Sequence, residues 1–425
     1  MLRMLLSVTM MIGGASVHAI ELSGFDGSSN AGVDTSTLTG KVMCGYQGWF
    51  TCPGDGSERG WFHWGGGGGF KPGSCSIDLW PDVSELDEDE LVDTEFRHAD
   101  GSVARVFSSM HPKTVDRHFR WMREYGIDGA FVQRFAGETM HPKGLNHCNT
   151  VLMNCRASAN EHGRAYATMY DLSGLQENMI DRVIDDWKLL VDGMKLTRDA
   201  ADRAYLHHKG KPVVAVWGIG FSDNRKYTLQ DCAKLIDFLK DDPDYGGCTV
   251  MVGVPTFWRT LERDALSDPY LHEVIAKADI VSPWMVGRFG HPNDAARFGE
   301  IVFKPDIAWC SERGKDYLPV VFPGFSWHNM FENSPLGHIP RRGGEFLWSQ
   351  YRAAIGAGAT MIYQAMFDEV DEGTAIFKCT NDPPVGESEF LTYEDLPTDH
   401  YLWLVGEAGK ALRGEIELTE AMPVR

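Results

Sequence analysis

The chain has 425 residues, is 43% hydrophobic and 24% charged, and carries 60 acidic against 40 basic residues, for a formal charge of −20. Such a composition suits a globular protein with a large core. The acid excess argues against nucleic acid or an anionic membrane as a partner and leaves an uncharged substrate open.

The first residues read as an export signal: Arg3 supplies positive charge, Met4 to Ile12 is an apolar core, and Ala15 to Ala19 offers a small-residue cleavage site. No run reaches the ~20 apolar residues of a spanning helix. The expectation is a signal over residues 1–19, a polar leader over 20–40, and a monomeric, secreted or periplasmic protein with no membrane insertion. Nine cysteines would then sit in an oxidising compartment, one at least unpaired. Cys52 with Cys75 and Cys148 with Cys155 are the expected pairs, both in loop-like sequence. No Cys/His spacing suggests a metal, and no cofactor is expected.

Lys41–Phe50 is strand-like. Five glycines, Gly65–Gly69, follow inside GWFHWGGGGGFKPG and predict a surface loop, not a phosphate loop, since no GK[ST] follows. Asp82–Asp93 is acidic and expected to be exposed. A regular alternation then sets in. Helices are predicted at Lys113–Tyr125, up to Gly163, at Gln176–Leu196, Arg198–His207, Leu229–Lys240, Leu266–Ala276, Asp294–Val302 and Gly344–Ile355. Strands are predicted at Ile127–Phe135, Ala165–Ser173, Lys211–Phe221, Cys248–Phe257, Asp279–Val286, Tyr317–Trp327 and Met361–Phe367. With Lys41–Phe50 this makes eight strands, each a nearly continuous apolar run, as parallel strands buried on both faces require. The prediction is an α/β chain folded as one (β/α)8 TIM barrel with long βα loops over residues 41–425. A doubly wound open sheet is the alternative, but the first strand is followed by no dinucleotide fingerprint.

In such a barrel the C-terminal strand ends face one cavity. Those ends offer Tyr46 and Trp49; Gln133 and Arg134; Asp171; Trp217; Trp258; Trp284; Trp327 and His328; then Asp368, Glu369, Asp371 and Glu372. Most of them carry a tryptophan, whose flat face suits a sugar ring, although for any one tryptophan core packing is an equal alternative. Asp171 could equally cap a helix, His328 could be a structural donor, and the four clustered acids could be a solvated loop. Glycoside hydrolysis needs two carboxyls flanking the scissile bond. Here they would come from Asp171 and from the acid group after the eighth strand.

FDEVDEGT (Phe367–Thr374) resembles the F-N-E-W-x-E-G-T signature that ends the barrel of glycoside hydrolase family 99 and family 71-like enzymes, which include endo-α-mannosidases and α-1,3-glucanases. GYQGWF (Gly45–Phe50), MREYGIDGAFVQRF (Met122–Phe135), KPVVAVWG (Lys211–Gly218) and LPVVFPGFS (Leu318–Ser326) resemble further segments of that family, in the same order. The resemblance implies that Glu369 and Glu372 stand at the positions of its two acids. Asp368 replaces its Asn and Val370 its Trp. Its Glu-Pro-Tyr segment falls at Tyr170–Leu172, where only Asp171 is acidic.

The reading is a secreted glycoside hydrolase for a poly- or oligosaccharide. Glu372, Glu369 and Asp171 are its catalytic candidates. Tyr46, Trp49, Gln133, Arg134, Trp217, Trp258, Trp284, Trp327, His328 and Asp368 are its candidates for substrate binding. The alternatives are a barrel that binds sugar without cleaving it, and a Ca²⁺ ion among the four clustered acids, although their spacing is not that of an EF-hand.

Overall fold

The computed structural model describes residues 20–66, 68–331 and 333–425; the signal expected over 1–19 lies outside them. Eight parallel strand positions form a ring. They are Val42–Tyr46, Gly129–Phe135, Ala165–Asp171, Lys211–Trp217, Thr249–Pro255, Ile280–Trp284, a seventh strand in two pieces (Asp316–Tyr317 and Val320–Val321), and Ile362–Gln364. Each of the first six pairs with the next. The first piece of the seventh strand pairs with the sixth and the second piece with the eighth. The eighth pairs with the first, which closes the barrel. Pro319 lies between the two pieces and has no N–H to give to a ladder, so the handover from one neighbour to the other falls there.

The runs are strands because both faces are covered: Val213–Val216 and Val250–Val252 are fully buried, between the lumen and the helix layer. The helices precede or follow the strands as the alternation predicts: Pro112–Tyr125, Pro142–His162, Ile180–Gly193, Leu229–Asp241, Tyr270–Lys277, a composite from Pro292 to Glu312, and Glu345–Gly356. Proline at the first helical position opens those at Pro112, Pro142 and Pro292. Gly126 and Gly163 close the first two in the left-handed conformation.

Three departures have local causes. Arg198–His207 is not a helix: Asp199 and Asp202 accept from the N–H groups of Ala201 and Ala204, a turn chemistry that competes with helix. An eighth helix, His400–Leu412, follows the last strand and completes the repeat. The acidic stretch near Asp93 runs into a hairpin of Val92–Arg97 and Val103–Val106. Its Glu90 is buried, not exposed, and pairs with Arg117 at 2.6 Å and Thr114 at 3.0 Å.

The leader lies along the barrel. Phe25 N–H donates to Asp199, Ser29 to the Ala201 carbonyl at 2.8 Å, and His207 N–H to the Thr35 carbonyl at 2.7 Å. All nine cysteines are free thiols. Cys148 and Cys155 share the helix Pro142–His162, seven residues apart and so about 10 Å along its axis, beyond the reach of a disulfide. Cys52 donates instead to the Phe107 carbonyl and Cys75 to Ser388. Among the described residues no helix is long and apolar enough to cross a membrane.

Candidate active site

Strand alternation sorts the predicted residues. In register, Gln133 lies beside Met169, and Phe135 beside Asp171; Asp171 lies beside Trp217 and Pro255 beside Trp284. These residues face the lumen or its mouth, and their immediate neighbours along each strand face the helices. Gly253, the next residue in register, makes room for Trp217: a Cβ there would fall 2.3 Å from the indole ring.

Three candidates belong to the outer face. Tyr46 is fully buried, its hydroxyl 2.9 Å from His118 Nδ1 on the first helix. Arg134 forms a two-point pair with Asp186, both contacts at 2.6 Å, and also donates to Asn149; Tyr170 donates to the same Asp186. Trp258 is fully buried and donates to Asp306 at 3.1 Å. These are packing and pairing residues rather than sugar contacts. Arg134→Ala is expected to lower stability by roughly 3–5 kcal/mol, because Asp186 would be left buried and unpaired; the midpoint of urea unfolding measures it.

His328 is likewise committed, its Nδ1 at 2.8 Å from the Ser334 carbonyl. Its N–H and that of Asn329 donate to Asp78 at 2.6 and 2.8 Å. Asp78 thus fixes the loop that carries Trp327. Trp49 does not offer a face: His63 stacks on one side at 3.7 Å and Phe135 lies against the ring at 5.2 Å. What it presents is an indole N–H with no partner among the described residues.

The acids after the eighth strand do not converge on one point. Asp368 is fully buried and accepts from the N–H groups of Gln47 and Gly48 at 2.7 and 2.8 Å. Burial still raises it to about 7 against those bonds. Glu369 accepts from the Gln47 amide and the Thr374 hydroxyl. Burial, with Glu372 and Asp371 close by, holds it well above the usual carboxylate range. Asp371 is bonded to His63 Nδ1 at 2.8 Å and is raised by burial. His63 is pushed down to about 3, first by burial and then by Arg59, so the imidazole is neutral. Among the described residues no group of three or more His, Cys, Asp or Glu side chains is disposed to hold a metal ion.

Glu372 is the half-buried member of the four. Burial raises it to about 8, Asp371 and Asp171 add to the rise, and the Trp327 indole opposes it. Asp171 is half-buried on the third strand. It accepts from Ser173 N–H at 2.7 Å and caps a turn rather than a helix, since the next helix starts only at Ile180. Burial raises it, while the Ser173 bonds and Arg225 favour its charged form. Tyr363, buried in the lumen, accepts from Gln133 at 2.9 Å. Trp217 and Trp284 meet edge to face at 5.4 Å, and both are partly exposed. Beside Gln47, Trp49, His63 and Gln133 opens a cavity of about 250 Å³.

No protein-family model and no curated protein matches the chain. Among solved structures it is similar to the GH99 endo-alpha-mannosidase from Bacteroides thetaiotaomicron, at 19% identity and TM-score 0.61, over 89% of this chain and 99% of that one. That enzyme in complex with BIS-TRIS-propane matches at 18% identity, TM-score 0.61 and the same coverage. A glycoside hydrolase-like protein matches at 13% identity and TM-score 0.50, over 78% of this chain and 93% of that one. The chain thus has the fold of a GH99-like glycoside hydrolase barrel.

Proposed function

We propose that the chain is a glycoside hydrolase, secreted or periplasmic, acting on a poly- or oligosaccharide, with Glu372 as general acid and Asp171 as the opposing carboxylate. The observation that carries this is a pair of half-buried carboxyls from the third and eighth strands at one mouth. Burial raises both, and Asp171 adds to the rise of Glu372. Glu372, at about 8, holds its proton at neutral pH and can give it to the departing glycosidic oxygen as the C–O bond breaks. Asp171, raised by burial against its Ser173 and Arg225 contacts, is the carboxyl facing the positive charge that develops on the sugar. Glu369, fixed by Gln47 and Thr374, positions the substrate; Trp217, Trp284 and Trp327 line the mouth as stacking faces.

The test is release of reducing sugar from α-mannans, α-glucans and plant or algal polysaccharides by the mature protein and by Glu372→Gln. α-Mannosides come first, because the similar barrel is an endo-alpha-mannosidase. Release by the wild type alone supports the assignment. Binding by both proteins without release by either would leave a sugar-binding barrel in place of an enzyme.

A further inference from the structure

The cavity beside the acids has features that an open polysaccharide groove does not need. Its volume of about 250 Å³ lies under the ~300–1,000 Å³ of pockets for drug-sized ligands and suits a single sugar ring. Gln47, whose amide bonds Glu369, lies on its wall. The wall also carries a fixed set of groups around Arg59. Arg59 lies 3.4 Å over the Phe62 ring, pairs with Glu138 and contacts His147 Nδ1 at 3.0 Å, while His147 Nε2 is 2.8 Å from the Gly48 carbonyl.

Among the described residues two buried acceptors on the cavity wall lack partners. Gln47 and Gln133 are each only 8% exposed, and their amide nitrogens are spent on Glu369 and Tyr363, which fixes the side-chain orientation. Among the described residues their carbonyl oxygens bond nothing, nor does the Trp49 N–H. Buried polar atoms of this kind normally have a partner. Hydroxyl groups, which both donate and accept, would satisfy all three. The charges narrow the choice further. Among the described residues Arg59 is the one cation on the cavity wall and is already paired with Glu138, so the wall offers no free cation to hold a sulfate or a uronate.

Accepting the hydrolase reading above, we propose that this cavity is a blind pocket for the terminal residue of an uncharged glycan, so that cleavage is counted from a chain end. Gly137 gives the means to test it. It lies on the cavity wall with helical backbone angles, and a Cβ added there meets no atom within 4 Å. Gly137→Leu and Cys148→Phe would each occupy the pocket from a different element.

The wild type should release a product of one fixed short length from the first turnovers, from neutral oligosaccharides and not from sulfated or uronate-containing ones. Each filled variant that keeps the wild-type melting temperature should lose tenfold or more in kcat/KM, through KM. Early products of mixed length, equal turnover of charged glycans, or unchanged kinetics in both folded variants would overturn the pocket. If the wild type cleaves nothing, the hydrolase reading fails separately. Calorimetric titration with methyl α-D-mannopyranoside and methyl α-D-glucopyranoside then decides the pocket: saturable binding abolished by Gly137→Leu keeps it, and no binding, or binding unaffected by the substitution, removes it.

Discussion

Glu372→Gln is expected to lower kcat on a natural glycan by about 10²–10⁴-fold, the usual contribution of a positioned proton donor. The amide keeps the size of the side chain and removes the proton, so folding and sugar binding should survive. In the wild type the carboxyl is raised to about 8, first by burial and then by Asp371. Activity on natural glycans should therefore fall as pH rises through that value and the acid loses its proton. An aryl glycoside whose phenol leaves without protonation separates this role from a structural one. On that substrate the variant should approach the wild-type rate, and the alkaline limb should flatten. A variant equally slow on both substrates would show that Glu372 does something other than donate a proton.

Stability should rise as pH is lowered from 8 to about 6.5. The sign follows from proton counting. Asp368, at about 7, and Glu372, at about 8, are raised above their unfolded values, so between about 4 and 8 these two groups bind more protons in the folded chain than in the unfolded one. The stability they contribute is complete below the unfolded value and is lost as pH climbs through the folded one. Asp368 alone shifts by roughly three units, on the order of 4 kcal/mol as an upper bound. Below about 6.5 the imidazoles of His63, His118 and His147, pushed down by burial to about 3, 3 and 4, work in the opposite sense, because the unfolded chain takes up protons that they refuse. Asp399, held down at about 2 chiefly by Arg425, does so at still lower pH. Urea unfolding at pH 6.5 and pH 8 measures the difference, and higher stability at pH 8 would reverse the assignment. Asp368→Asn should reduce the slope. It should also cost stability at pH 8, because the amide nitrogen cannot accept the bond that Gly48 N–H now gives.

The barrel was legible in the sequence because burial on both faces leaves an apolar run at every strand, and eight such runs in alternation with helices leave few other folds. The site was legible only to the level of strand ends. Gln133 and Arg134 are adjacent and both polar, and nothing local says which one faces the lumen. The pairing of Arg134 with Asp186 lies some fifty residues away in the chain. The alternation itself was a usable signal: had Asp171 been taken to fix the inward face of the third strand, Tyr170 would have been assigned to the helices, and Arg134 with it by register. His63 and Asp78 had no signal of this kind. They lie in irregular chain between the first two strands, where no period exists, and only the folded loop brings His63 to Asp371. Tyr363 was hidden inside an apolar run that reads as core, which it is, apart from one hydroxyl.

The two-piece seventh strand has a mechanical consequence. It is held to its neighbours by two register positions on each side, whereas the second and third strands are matched over seven. A hoop under load parts at its thinnest joint, and local opening in proteins follows the weakest hydrogen-bonded segment. That joint leads into the loop of Trp327, while the blind cavity is built on the firmly matched side. The molecule is thus stiff where a sugar would be gripped and compliant on the opposite rim, where the rest of a chain would have to enter and leave.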